Sequence, residues 1–185
     1  MSASEEILQL ALELGALKYG DFILSSGQRT TYYFDGRVLS LHPRGAHLIC
    51  EALLPIVKAC GAEAIGGPTL GADPIVAAVA LASHLEGAPV PAFIVRKYIK
   101  PHGTEQTLEG PLVPGCRVAI VDDVCTTGSS LFYAIAAAED DGCSVVKVIC
   151  VLDRRQGGSD EMKSRGYDFV SLLEANPDGN VRVAS

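Results

Sequence analysis

Apolar positions Ile7, Leu10, Ala11 and Leu14 recur three and four residues apart, the spacing of one face of a helix. Ser2 and Glu5 stand just ahead of that run and Gly15 follows it, which predicts a helix opened by a capping box and stopped by a glycine. A second helix is predicted from Pro43, a favoured first helical residue, through Leu48, Ile49, Ala52, Leu53, Ile56 and Val57 to a stop near Gly61. The stretch between the two is polar and aromatic.

From Ala64 onward short apolar runs alternate with helical segments. AEAIGG is followed by a helix from Pro74 to His84, then by AFIVR and RVAIV. A helix from about Ser129 to Asp141 comes next, then SVVKVICVL, a short segment near Glu161, and DFVSLL. Continuously apolar strands alternating with helices mean a parallel sheet covered on both faces. The expected fold is therefore an α/β domain with a doubly wound parallel sheet flanked by helices, the first ~60 residues forming a partial cap. One long stretch, Lys97 to Pro114, has neither periodicity, and loops of that length are usually functional or disordered. It carries Lys97, Lys100, His102, Gly103 and Gly110, which suits a mobile basic lid.

Length and composition narrow the class. The 185 residues fit one domain, 1–185, with a core large enough to need no disulfide or structural metal. Apolar residues make up 48% and charged residues 20%, ordinary for a globular protein. There is no apolar run of about 18 residues and the opening MSASEEILQL lacks the features of a signal peptide, so a cytoplasmic protein is expected. Six cysteines without paired C-x-x-C spacing read as free thiols. A net charge of −7 disfavours nucleic acid and anionic membrane as partners, so attraction for an anionic substrate must be local.

The strongest chemical feature is VAIVDDVCTTGSSLFYAI, from Val118 to Ile135. An apolar strand ends in Asp122 and Asp123, and a turn rich in Thr, Gly and Ser leads into a helix at about Ser129. Ligands of open parallel sheets bind beyond the carboxyl ends of strands, which aims both carboxylates at the crevice. Backbone N–H groups and the hydroxyls of Thr126, Thr127, Ser129 and Ser130, gathered at a helix N-terminus, suit a phosphate monoester. The segment matches neither G-x-x-x-x-G-K-[ST] nor G-x-G-x-x-G. Two acids beside a phosphate cradle suit a phosphorylated ribose whose hydroxyls meet the carboxylates. The plainer reading, two acids capping a helix, leaves consecutive carboxylates at the end of an apolar strand without partners, which is costly.

Apolar strand, Asp-Asp and T-T-G-S-S together resemble the phosphoribosyl pyrophosphate (PRPP) signature of type I phosphoribosyltransferases. RKYIKPHGTEQTLEG, from Arg96 to Gly110, is similar to the R-K-x-x-K-x-H-G catalytic loop of orotate phosphoribosyltransferases at Arg96, Lys97, Lys100, His102 and Gly103. FILSSGQRTTYYFDGR, from Phe22 to Arg37, resembles their N-terminal segment, and LDRRQGG, from Leu152 to Gly158, resembles their late D-R element. These segments span most of the chain in the family's order.

The resemblance implies a type I phosphoribosyltransferase fold in which about residues 1–40 contribute to a hood over the base and residues 96–114 form a mobile catalytic loop. It implies PRPP binding by Arg96, Lys97, Lys100, His102, Asp122, Asp123, Val124, Cys125, Thr126, Thr127, Gly128, Ser129 and Ser130. Of these, Lys100, His102, Asp122 and Asp123 are the expected catalytic residues. Thr69, Leu70, Gly71 and Ala72 are the expected pyrophosphate loop, and Tyr33, Phe34, Thr126 and Arg154 the expected orotate contacts. Mg2+ is expected to arrive on the diphosphate, with no dedicated protein ligand. A homodimer in which the loop serves the neighbouring subunit is also implied.

The sequence departs from the family's pattern twice: Ser25 and Gly71 stand where a Lys is frequent, and both changes remove positive charge from pyrophosphate recognition. Two rival readings remain at this level. One is a phosphoribosyltransferase for another base, a purine or uracil. The other is a non-catalytic regulatory protein of the same fold, which should show a basic face or an added DNA-binding domain.

Overall fold

The structure is a computed structural model that describes residues 1–23, 27, 29–96 and 107–184. In chain order the elements are α1 (Ala3–Glu13), β1 (Leu17–Ile23), β2 (Arg29–Phe34), α2 (Gly36–Ser40), α3 (Pro43–Ala59), β3 (Ala64–Pro68) and α4 (Asp73–Leu85). Then follow β4 (Ala92–Val95), β5 (Leu108–Glu109), β6 (Arg117–Cys125), α5 (Ser129–Asp140), β7 (Ser144–Asp153), α6 (Gly158–Ser164), β8 (Phe169–Ala175) and β9 (Val181–Val183).

The capping box forms as read. Ser2 Oγ accepts from the Glu5 N–H, and the Glu5 carboxylate accepts from the Ser2 N–H. Two of the four orphan donors at the start of α1 are thereby satisfied. Pro43 opens α3, whose inner face buries Leu48, Ile49, Leu53, Leu54 and Val57.

Seven strands form one sheet in the order β5-β4-β3-β6-β7-β8-β9. The five from β4 to β8 pair in parallel, while β5 and β9 add antiparallel edges, so the sheet is mixed and not purely parallel. β1 and β2 form a separate antiparallel hairpin. β6 shows why the fold is doubly wound. Ala119 and Val121 join a core with Ile49, Leu53 and Ile75 from α3 and α4, while Val118 and Ile120 join a second core with Leu131 and Ile135 from α5. Alternate side chains of one strand thus feed two apolar layers, each covered by helices.

β6 runs longer than the apolar pattern suggests. It continues through Asp122 and Asp123 to Cys125, in register with β7 as far as Cys125 opposite Asp153. The acids lie inside the last turn of pairing, and the loop proper is only Thr126 to Gly128.

Candidate active site

Asp122 is 6% exposed and Asp123 is half-buried. The Asp122 carboxylate accepts the Asp123 N–H at 2.9 Å. A close-fitting glycine stands on each side of Asp123. A Cβ on Gly36 would be 2.6 Å from the Asp123 Cβ, and a Cβ on Gly71 would overlap the carboxylate oxygens of both Asp122 and Asp123. Burial pushes the Asp123 carboxyl above the usual carboxylate range, against the opposing effect of its hydrogen bonds to Asp122 and Val124 and of the Arg37 charge. A carboxylate held this way lacks full solvation and is suited to accept hydroxyl donors from a ligand.

The loop beyond β6 has its carbonyls engaged from behind. The Arg154 N–H donates to Cys125 O at 2.8 Å, the Gly158 N–H to Thr126 O at 3.0 Å, and the Phe132 N–H to Gly128 O at 2.8 Å. Among the described residues the N–H groups of Thr126, Thr127 and Gly128 donate to no backbone carbonyl. Gly128 adopts φ +79°, a left-handed conformation that glycine reaches without strain, and passes the chain into α5. The loop leads into the positive end of a 12-residue helix, where the aligned peptide dipoles favour an anion.

Gly158 belongs to this site although sequence reasoning gave it no role. A Cβ there would stand 2.6 Å from Gly128 N and 2.7 Å from Cys125 Sγ, so only glycine lets α6 press against the loop that follows β6. Cys125 is buried, and desolvation, with Asp153 and Asp122 nearby, pushes its thiol up to about 12.

Thr69 to Ala72 lie between β3 and α4, beside the acids. The Thr69 N–H already donates to Val95 O at 3.0 Å and the Ala72 N–H to Pro68 O at 3.2 Å. Among the described residues no backbone carbonyl accepts from the Leu70 or Gly71 N–H. Arg96, at the end of β4, is held by Glu109 of β5 at 2.6 Å, so its guanidinium is already engaged. Lys97, Lys100, His102 and Ser25 lie outside the described residues.

Two cavities divide the remaining residues. Tyr33, Phe34, Gly36, Arg37, Gly71 and Asp123 line one of about 280 Å³. Asp35 belongs to the same wall. It caps α2 through the Arg37 N–H at 3.0 Å and pairs with the Arg37 guanidinium through both oxygens at 3.1 Å. That pairing, foremost, holds its carboxyl below the usual range. The second cavity, about 1040 Å³, is lined by Tyr32, Asp153, Arg154 and Arg155 together with β8, β9 and α6 residues. The expected orotate contacts are thus split: Tyr33 and Phe34 stand with the acids, Arg154 in the neighbouring cavity with Tyr32. The smaller cavity is the candidate reaction centre because Asp123, Gly71 and Tyr33 line it together. Volume alone says nothing of chemistry.

A mixed doubly wound sheet, an acid pair at a strand end and an amide-lined loop before a helix define a phosphoribosyl-transferring domain. Residues 72–181 match the phosphoribosyl transferase domain family. Across 91% of this chain and 81% of the relative, the sequence is 44% identical to the orotate phosphoribosyltransferase of Nostoc sp.. The crystal structure of Mycobacterium tuberculosis orotate phosphoribosyltransferase with Fe(III) dicitrate superposes with a TM-score of 0.81 at 37% identity, covering 93% of this chain and 96% of that one. The same enzyme in complex with PRPP gives a TM-score of 0.78 at 34% identity, with 93% and 96% covered. This chain belongs to the orotate phosphoribosyltransferase family, and its activity is that of a pentosyl-transferring enzyme.

Proposed function

We propose that the small cavity carries out the family's reaction as follows: a ring nitrogen of orotate displaces pyrophosphate from C1 of PRPP, giving orotidine 5′-monophosphate with inversion. The observation that carries this assignment is the Asp122–Asp123 pair beside an amide-lined loop. In this reading Asp122 and Asp123 hold the ribose hydroxyls and stabilise the cationic ring that develops at C1. The segment from Val124 through Cys125, Thr126, Thr127, Gly128 and Ser129 to Ser130 anchors the 5′-phosphate. Thr69, Leu70, Gly71 and Ala72 border the diphosphate, with the Leu70 and Gly71 amides as donors.

Lys97, Lys100 and His102 close over the departing diphosphate, with Lys100 and His102 stabilising or protonating its oxygens. Arg96 joins them by bridging between Glu109 and the diphosphate. Orotate packs against Tyr33 and Phe34 near Thr126, and Arg154 meets its carboxylate through a planar two-pronged contact.

Magnesium fits this site as a companion of the substrate. Its preferred partners are oxygens, which the diphosphate itself would supply, so no dedicated protein ligand is required. Bound to the diphosphate, the ion would offset charge gathering on the leaving group. Among the described residues no group of three or more His, Cys, Asp or Glu is arranged to hold a metal.

The wider reading is a cytoplasmic homodimer acting in pyrimidine synthesis. Leu81 and Leu85, one turn apart on α4 and 62% and 76% exposed, support a helix face covered by a second copy. Pyrophosphate release measured with orotate, uracil, adenine and hypoxanthine tests the assignment. Turnover with orotate alone is expected, and turnover confined to a purine overturns it.

A further inference from the structure

Arg154 is placed by an unusual balance of partners. Its side chain is half-buried, its Nε is enclosed without a hydrogen-bond partner, and among the described residues it makes no ion pair. An acid does stand next to it. Asp153 is 2% exposed, but Arg155 occupies it: the backbone turns at φ +53° so that the Arg155 N–H donates to Asp153 Oδ1 at 2.8 Å, with the Arg155 guanidinium 3.8 Å from Oδ2. What faces the Arg154 guanidinium is the ring of Tyr32, 5.2 Å from its centre. Tyr32 is itself buried, and its hydroxyl has no partner.

We infer that Tyr32 is a positioning residue for substrate recognition: its ring face orients Arg154 from the hairpin while leaving the guanidinium's N–H donors unspent for a carboxylate. A carboxylate partner would hold the same side chain only by consuming the donors the substrate needs. An aromatic face attracts the cation without taking any of them. The arrangement also links β2 to the end of β7, so neighbouring residues of one strand serve two ends of the base: Tyr33 lines the reaction cavity while Tyr32, pointing the other way, acts through Arg154. The unpartnered hydroxyl indicates that the ring and not the oxygen does this.

The inference rests on Arg154 being the carboxylate's partner, and its test separates the two. Tyr32→Leu is expected to raise the KM for orotate about fivefold or more, the scale of a partly desolvated cation–π contact, with kcat and the KM for PRPP moving less than about twofold. Tyr32→Phe, which keeps the ring, is expected to restore the low KM. Because a buried leucine can disturb folding, ring-fluorinated phenylalanines at position 32 supply a series of nearly constant shape. The KM for orotate should climb as fluorination weakens the ring's negative face. A flat series, or a Phe variant as impaired as Leu, overturns the role of Tyr32. Arg154→Ala with an unchanged KM for orotate overturns the assignment of Arg154 instead.

Discussion

Gly71 stands so close to Asp123 that a Cβ at position 71 would fall on the carboxylates of Asp123 and Asp122 alike, and both would have to move to admit it. The family lysine missing here therefore cannot simply be restored on this backbone. Gly71→Ala is expected to lower kcat/KM for PRPP at least about tenfold, ~1.4 kcal/mol in the transition state, and Gly71→Lys to do no better. Steady-state kinetics with varied PRPP check this.

Asp123 should show opposite effects on stability and turnover. Its folded-state pKa is raised, so the folded protein binds the proton more tightly than the unfolded chain. The ionised carboxylate accordingly costs stability above the folded pKa, and the cost fades as pH falls toward the unfolded value. Asp123→Asn should raise Tm at pH 8 by about 2–4 °C, the effect of about 1 kcal/mol in a chain of this size, and the gain should vanish near pH 4. Turnover should fall by about a hundredfold or more. In the wild type, activity that needs the carboxylate should decline at a higher pH than an ordinary aspartate would dictate.

Gly158 supports the phosphate loop without facing the substrate. Gly158→Ala places a methyl against Gly128 N and Cys125 Sγ, and the loop must shift to admit it. A tenfold or greater rise in the KM for PRPP is expected, with a stability loss of about 1–3 kcal/mol. Kinetics and thermal denaturation read the two effects separately.

Four of the six cysteines, Cys50, Cys125, Cys143 and Cys150, are buried, and Cys60 and Cys116 are partly exposed. Cys125, with its thiol pushed up to about 12 by burial, should resist alkylation at pH 7.5 in the native protein. Cys116 and Cys143 have sulfurs 4.0 Å apart on adjoining chain segments. Exchange with a low-molecular-weight disulfide should join them, releasing two small thiols, and raise Tm by a few degrees. Mass spectrometry after digestion identifies the bridge, and modification of Cys125 in the folded protein would contradict the burial argument.

Lys100→Ala should reduce turnover at least about tenfold while leaving the thermal transition in place. Unchanged kinetics would remove Lys100 from the mechanism.

Much of this architecture is legible in the sequence for a physical reason. β3, the first part of β6 and the second half of β7 are buried on both faces, so they appear as apolar runs such as VAIV and VICVL. α1 and α3 carry explicit start signals in Ser2–Glu5 and Pro43. The parts that escape are short or held from a distance. β5 and β9 have two and three residues, and α2 has five, too few for any period to register. β6 reaches past its apolar run because Asp122 and Cys125 still find partners on β7. At the site, the acid pair and the loop announce themselves within one segment. The fit of Gly36 against Asp123, of Gly158 against Thr126, and of Tyr32 against Arg154 joins residues far apart in the chain, and no local pattern encodes those contacts.

The hydrogen bond from the Arg154 N–H to the carbonyl of Cys125 has one more implication. In the proposed scheme one end of the ligand pair is gripped just after Cys125 and the other by Arg154. Both grips are then fixed to a single peptide junction, and the span from phosphoryl group to heterocycle is gauged from a common origin. Relatives that accept a larger ring would have to loosen that junction or move the hairpin, since lengthening either grip alone would leave the other out of reach.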